Sequence, residues 1–168
     1  MEPPRSVRVA TPLGELTVVA GSTGVIATMF DDEGSETELE RLEARLGVAV
    51  RPDGRGLAAV RREVEAYFAG RGRTFRTRVD LTLAGDGFGR RVLEATMRIP
   101  FGELATYGDV AAAAGSPRGG RAAGNALNRC PIELFVPCHR VVHAGGTIGG
   151  YGRHEDRKRW LIRHEGAG

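Results

Sequence analysis

A cysteine and a histidine stand side by side in Pro137-Cys138-His139-Arg140-Val141-Val142. A thiol becomes a strong, soft nucleophile once a base or a positive field takes its proton, and free cysteine titrates near ~8.5. The apolar flank at residues 132–136 predicts a short buried strand that ends at the thiol, with Pro137 fixing the backbone before it. Such a thiol is placed to attack an electrophilic carbon, with the imidazole as the proton acceptor. The plainer alternative is a buried structural cysteine beside a surface histidine. Neighbours in a strand point to opposite faces, so His139 need not touch Cys138.

The chain has 168 residues, enough for one full domain or two small ones. No apolar run approaches the ~20 residues that span a bilayer. Charge, Pro12 and Gly14 interrupt the N-terminal stretch, so it does not read as a signal peptide. Two cysteines without Cys/His clusters argue against a zinc site and for a reducing, cytoplasmic setting. The formal net charge of +3 permits a polyanionic partner. Acidic residues gather at 31–43, and most of the later arginines lie between 118 and 163.

The elements that must position the thiol read as an α+β chain. Residues 6–10, 14–20 and 25–30 predict an antiparallel sheet, with a hairpin turn at residues 21–24. Helices are predicted at 36–46, with Leu39, Leu42 and Leu46 on one face, and at 57–69, with Val60, Val64 and Phe68 on another. A glycine- and proline-rich loop joins them over 47–56, and residues 79–83 suggest one more strand. A division is expected after residue 83, with a small structural domain at 1–83 and the chemistry at 84–168.

The second half predicts mostly helix. Phe88, Val92, Ala95 and Ile99 share a face that Pro100 ends. Helices at 107–114 and 118–128 flank Gly115-Ser116-Pro117, the pattern of a helix-turn-helix, and a last helix covers 156–164. In the second of the pair, Arg121-Ala122-Ala123-Gly124 leaves small residues behind a leading arginine. Small residues serve tight helix packing. They also let a helix enter the minor groove of DNA, ~6 Å wide, where Arg121 could bind phosphate or enter the base stack.

These residues resemble a known family. Ile99-Pro100-Phe101-Gly102, Thr106-Tyr107-Gly108, Arg121-Ala122-Ala123-Gly124, the 137–142 segment, Gly150-Tyr151 and Arg157-Lys158 occur in the order and spacing of the O6-alkylguanine-DNA alkyltransferases. These are the methylated-DNA–protein-cysteine methyltransferases. The resemblance covers about residues 85–166, and the first half matches only in size and element order. It implies an N-terminal RNase H-like α/β domain followed by a winged-helix, helix-turn-helix domain. It implies direct, single-use repair of O6-methylguanine in double-stranded DNA by a monomer, with no membrane, cofactor or metal, and leaves O4-methylthymine open as a second substrate. Cys138 would accept the alkyl group, with His139 as its base through a water, Glu165 orienting His139, and Tyr107 donating to the departing guanine. Arg121 would fill the place of the flipped base, with Ala122, Ala123, Gly124 and Arg140 also on DNA. Val141, Tyr151, Gly152 and Arg153 would line the guanine pocket.

The sequence departs from the family at three places, of which Leu93, where a bulky aromatic is usual, is read as a change in core packing only. Cys130 stands where an asparagine is usual, eight residues before Cys138. It is read as a small buried residue that braces the site less well, and a disulfide between the two is not expected in a reducing compartment. Arg153-His154-Glu155 replaces a Gly-Gly-Leu loop, which predicts good transfer of methyl and poor transfer of benzyl. His143, His154 and His164 are read as surface residues. Competing readings are a DNA-binding regulator indifferent to loss of Cys138, a cysteine hydrolase that turns over, and a binder of alkylated DNA that performs no repair.

Overall fold

The structure is a computed structural model that describes residues 2–32, 34–151 and 154–167. The chain divides into two compact units, Met1–Asp80 and Leu81–Gly168. The expected division after residue 83 falls inside a 3-10 turn at Thr82–Ala84, just beyond this point.

Alternating apolar residues build the first unit. Strands β1 (Arg5–Thr11), β2 (Gly14–Gly21) and β3 (Gly24–Phe30) form an antiparallel meander, with Val7 opposite Val18 and Val9 opposite Leu16. Every residue of β3 after Gly24 is buried, so both of its faces are covered. Gly24 has φ 145°, and a Cβ there would sit 2.5 Å from the Arg78 carbonyl oxygen. Only glycine lets the returning chain donate and accept at Val25. Helices α1 (Ser35–Leu46) and α2 (Ala58–Phe68) follow the predicted faces.

Three details of the first unit differ from the sequence reading. Residues 51–52, expected in a loop, form strand β4 (Arg51–Pro52), parallel to β1 at the sheet edge where proline's missing N–H is tolerated. The strand expected at 79–83 is a single bridge from Val79 to Val25 before the 3-10 turn. On α2, Tyr67 is the buried aromatic, packed edge-on against the half-buried Phe68.

The second unit is helical around a minimal sheet. It contains α3 (Phe88–Thr96), β5 (Ala105–Thr106), α4 (Tyr107–Ala113), α5 (Gly120–Asn128), β6 (Val141–Val142) and α6 (Glu155–His164), and β5 runs parallel to β6. Helix α3 ends before Ile99. Thr96 Oγ1 bonds back to the Val92 carbonyl at 2.8 Å, and the next amides tighten into i−3 bonds ahead of Pro100. The strand expected at 132–136 does not form. Leu134 is buried with φ 78°, and the chain reverses there, joined only by the Glu133–Val136 bridge. A short apolar run marks burial but cannot tell a strand from a buried turn. Among the described residues, no helix is long and apolar enough to cross a membrane.

Candidate active site

Cys138 opens a 3-10 turn, Cys138–Arg140, rather than closing a strand. The turn is set by the reversal at Leu134, by Cys138 N donating to the Val136 carbonyl at 2.8 Å, and by Arg140 N donating to the Pro137 carbonyl at 2.9 Å. All three residues of the turn are buried. In this conformation the thiol and the imidazole no longer point to opposite faces of a sheet, and each meets its own partners.

His139 is fully buried, and its Nε2 lies 2.7 Å from Oε2 of Glu165, the residue that caps α6. An ionised carboxylate there requires the proton on Nε2 and leaves Nδ1 as the acceptor. Nδ1 has no hydrogen-bond partner among the described residues. Burial, the larger influence, lowers the His139 pKa below the usual imidazole range, while Glu165 pulls it upward. The ring is therefore a neutral base at pH 7.

Glu165 has a second duty. Its Oε1 accepts from Arg140 Nε at 2.8 Å and its Oε2 from Nη2 at 3.1 Å, while Arg140 Nη1 donates to the Ile99 carbonyl at 2.6 Å. Arg140, expected on DNA, is thus 8% exposed and consumed inside the unit as the counter-charge of Glu165. A buried carboxylate needs such a partner.

Tyr107 is pinned by local chemistry. Thr106 Oγ1 accepts from Asp109 N at 3.0 Å, and Asp109 Oδ2 accepts from Thr106 N at 3.0 Å, a capping box that makes Tyr107 the first residue of α4. The tyrosine is nearly buried. Burial first, and the neighbouring Cys138 second, push its pKa up, so its hydroxyl stays a donor. His143, exposed as expected, lays its ring 4.9 Å from that of Tyr107.

Lys158 was missed by the sequence reading as a site residue. It is fully buried, and its Nζ donates to the Val141 carbonyl at 2.5 Å, to Tyr107 Oη at 3.2 Å and to the Gly150 carbonyl at 3.3 Å. Burial lowers its pKa to about 8, against the opposing pull of Cys138. A signal was present: Lys158, Leu161, Ile162 and Glu165 fall at helical spacing, so the inward face of α6 carries two charges. Burial, the largest influence, raises the Cys138 pKa well above the ordinary thiol value; Cys130 and Glu133 also raise it, and Lys158 pulls it down. The resting group is therefore a thiol rather than a thiolate.

The structure also places the remaining predicted residues. Arg121 and Ala122 are exposed on α5 and Gly124 is half-buried. Ala123, expected on DNA, is fully buried in the packing of α5. A Cβ at Gly124 would lie 3.7 Å from the Tyr107 ring, an ordinary packing distance, so α5 passes directly beside Tyr107. Val141 and Tyr151 are buried. Cys130 is a half-buried free thiol. Gly152 and Arg153, expected in the pocket, lie outside the described residues.

A buried thiol, a carboxylate-held neutral imidazole and a tyrosine donor, behind two helices joined by a tight turn, define a cysteine-dependent transferase built on a helix-turn-helix unit. Comparison with known proteins is specific. The model of the 6-O-methylguanine DNA methyltransferase ribonuclease-like domain matches residues 8–81, and that of the DNA binding domain of the same proteins matches residues 87–167. The methylated-DNA–protein-cysteine methyltransferase of Salmonella typhimurium is 35% identical over 95% of this chain and 94% of its own. That of Methanosarcina acetivorans is 44% identical over 63% of this chain and 67% of its own. The crystal structure of the Mycobacterium tuberculosis O6-methylguanine methyltransferase superposes with a TM-score of 0.80 at 32% identity, covering 99% of this chain and 94% of that one. The same enzyme in complex with DNA gives 0.79 at 33% identity. The chain belongs to the methylated-DNA–protein-cysteine methyltransferase family, whose activity is DNA repair by alkyl transfer.

Proposed function

We propose that this chain repairs O6-methylguanine in double-stranded DNA by moving the methyl group onto Sγ of Cys138, irreversibly and once per molecule. The observation that carries the reading is the state of His139. Glu165 holds its Nε2, its Nδ1 is a bare acceptor, and a buried protonated thiol precedes it in the same turn. The thiol proton passes to Nδ1 through a bridging water. The S–C bond forms as the C–O6 bond breaks, and the electron pair leaves on guanine. Tyr107 donates to the guanine as this charge develops, where a fixed donor acts most strongly. The product is a thioether, which offers no leaving group for hydrolysis, so no turnover follows.

A stacked base cannot be attacked in line, so the target must be flipped out, at a cost of a few kcal/mol. Arg121, exposed near the start of α5, offsets part of that cost by filling the gap from the minor-groove side, with Ala122 beside it. The backbone around Val141 and Tyr151 forms the wall that receives the base. Residues 84–168 then carry DNA binding and chemistry, while residues 1–83 are structural. O4-methylthymine presents the same O-alkyl group and is a second candidate substrate. The solved structure of a relative in complex with DNA supports the partner.

The test is intact-protein mass after incubation with a duplex containing one O6-methylguanine, beside a Cys138→Ala control. Gain of a single methyl on the wild type alone, stopping at one per molecule, is the expected result. Binding of the duplex without any mass gain would overturn the reading in favour of a non-catalytic binder.

A further inference from the structure

Tyr107 and His143 are set side by side by the two-stranded sheet of the second unit. Strands β5 and β6 run parallel, with Ala105 opposite Val141 and Thr106 opposite Val142. Each strand then ends, and the next residue along is Tyr107 on one and His143 on the other. Side chains alternate along each strand, so partners in register point to the same side. The two rings meet, with centroids 4.9 Å apart and planes inclined at 53°. That separation lies in the range where aromatic rings attract. The backbone of His143 is itself fixed. Its N–H donates to the Thr147 carbonyl at 2.8 Å, and Gly146 N–H donates to the His143 carbonyl at 3.0 Å.

The other neighbours of Tyr107 leave this contact a distinct task. Lys158 Nζ donates to the hydroxyl oxygen at 3.2 Å and so fixes one point of the side chain. A Cβ at Gly124 would lie 3.7 Å from Cδ1 and Cε1, and one at Gly149 would lie 2.9 Å from Cε2, so these two glycines stand at opposite edges of the ring. Neither has a side chain to press on it. His143, an exposed residue, supplies a ring surface from the solvent side.

We propose that His143 is a positioning residue for methyl transfer: its ring holds the Tyr107 ring in the place from which the hydroxyl reaches the departing guanine. This rests on the reading of Tyr107 as the donor. A donor acts on the developing charge from about 2.7–3.1 Å, and a misplacement of ~1 Å costs on the order of a hundredfold in rate. His143 works through Tyr107, by ring contact rather than by its nitrogens. Another aromatic side chain therefore serves in its place.

The experiment measures single-turnover methyl transfer at saturating O6-methylguanine duplex. It compares the full-chain wild type with His143→Ala, His143→Phe, Tyr107→Phe and the double variant His143→Ala/Tyr107→Phe. His143→Ala is expected to transfer roughly three- to tenfold more slowly, the range an aromatic contact is worth. His143→Phe is expected to restore the rate. In the Tyr107→Phe background the alanine is expected to cost nothing more, because the hydroxyl it positions is gone. A merely structural role would slow both backgrounds alike. The Tyr107 ring is followed directly by NMR of protein carrying ring-labelled tyrosine, with Tyr107→Phe assigning its signal among the three tyrosines. Ring reorientation is expected to quicken in His143→Ala and not in His143→Phe. Wild-type transfer by His143→Ala, equal losses in the two backgrounds, or no rescue by phenylalanine would overturn the proposal. Should Tyr107→Phe transfer at the wild-type rate, the donor reading falls, and the ring signal still decides whether His143 holds Tyr107.

Discussion

Glu165 Oε2 and His139 Nε2 are 2.7 Å apart, with both side chains fully enclosed. The same carboxylate neutralises Arg140 through two further bonds. One buried charge therefore fixes the tautomer of the candidate base and compensates a guanidinium. The turn holding Cys138, the end of α6 and the Ile99 carbonyl are tied together by these contacts.

Replacing Glu165 with glutamine separates the two duties. The neutral amide no longer compels the proton onto Nε2, and Arg140 is left buried without its counter-charge. Methyl transfer is expected to slow by roughly a hundredfold, the lower range for loss of a positioned base. Stability is expected to fall by about 3–5 kcal/mol, as for a broken buried pair. Single-turnover kinetics and thermal melting read the two effects, and an unchanged transfer rate in a folded Glu165→Gln protein would remove Glu165 from the mechanism.

The pH profile follows from the directions of two shifts. Burial lowers the His139 pKa, so the neutral base persists to below its ordinary ~6.5. Burial raises the Cys138 pKa, so little thiolate pre-exists at neutral pH. Transfer assisted by His139 is expected to be flat through neutrality and to fall only below ~6.5. Transfer by pre-formed thiolate would instead climb about tenfold per unit through the neutral and mildly alkaline range. Stability follows the same sign. The unfolded histidine takes its proton first, so the contribution is held above ~6.5 and lost as pH falls below it.

Much of this site was legible in the sequence, for identifiable reasons. Cys138 and His139 were legible from their own residue types beside Pro137, whereas Tyr107 and Glu165 were legible only through the family resemblance; the structure sets Glu165 on His139 and Tyr107 beside Cys138. The burial of Arg140 and Ala123 was not legible, because tertiary packing and the carboxylate of Glu165 decide it rather than residue type. Lys158 was overlooked for the same reason: a lysine reads as solvated until three acceptors surround it. Segment 132–136 reads as strand from its apolar run, but the positive φ at Leu134 has no sequence signal in a leucine.

Lys158→Met tests that missed residue. Methionine keeps much of the side-chain volume and removes all three donors. The carbonyls of Val141 and Gly150 and the Tyr107 oxygen would each lose a buried partner, at about 1–3 kcal/mol per unsatisfied group. The melting temperature is expected to fall, and transfer to drop further than melting accounts for, because Tyr107 loses its anchor. A folded Lys158→Met protein with wild-type transfer would reduce the lysine to packing.

Gly149 tests Tyr107 from its other side. It has φ 71°, and a Cβ there would lie 2.9 Å from Cε2 of Tyr107 and closer still to its hydroxyl. Tyr107 cannot swing aside freely, because Lys158 holds its oxygen and His143 covers its ring. Gly149→Ala should therefore cost about 1–3 kcal/mol from overpacking, beyond about 1–2 kcal/mol for the left-handed backbone. Gly145 is the control, with φ 90° and nothing within 4 Å of a built Cβ, so Gly145→Ala meets only the backbone cost. Transfer is expected to fall in Gly149→Ala and to hold in Gly145→Ala, while both still bind an O6-methylguanine duplex in a mobility-shift assay, since Arg121 is exposed on α5 and neither glycine is part of that helix. Equal transfer by the two variants would mean that the position of the Tyr107 hydroxyl does not limit the reaction.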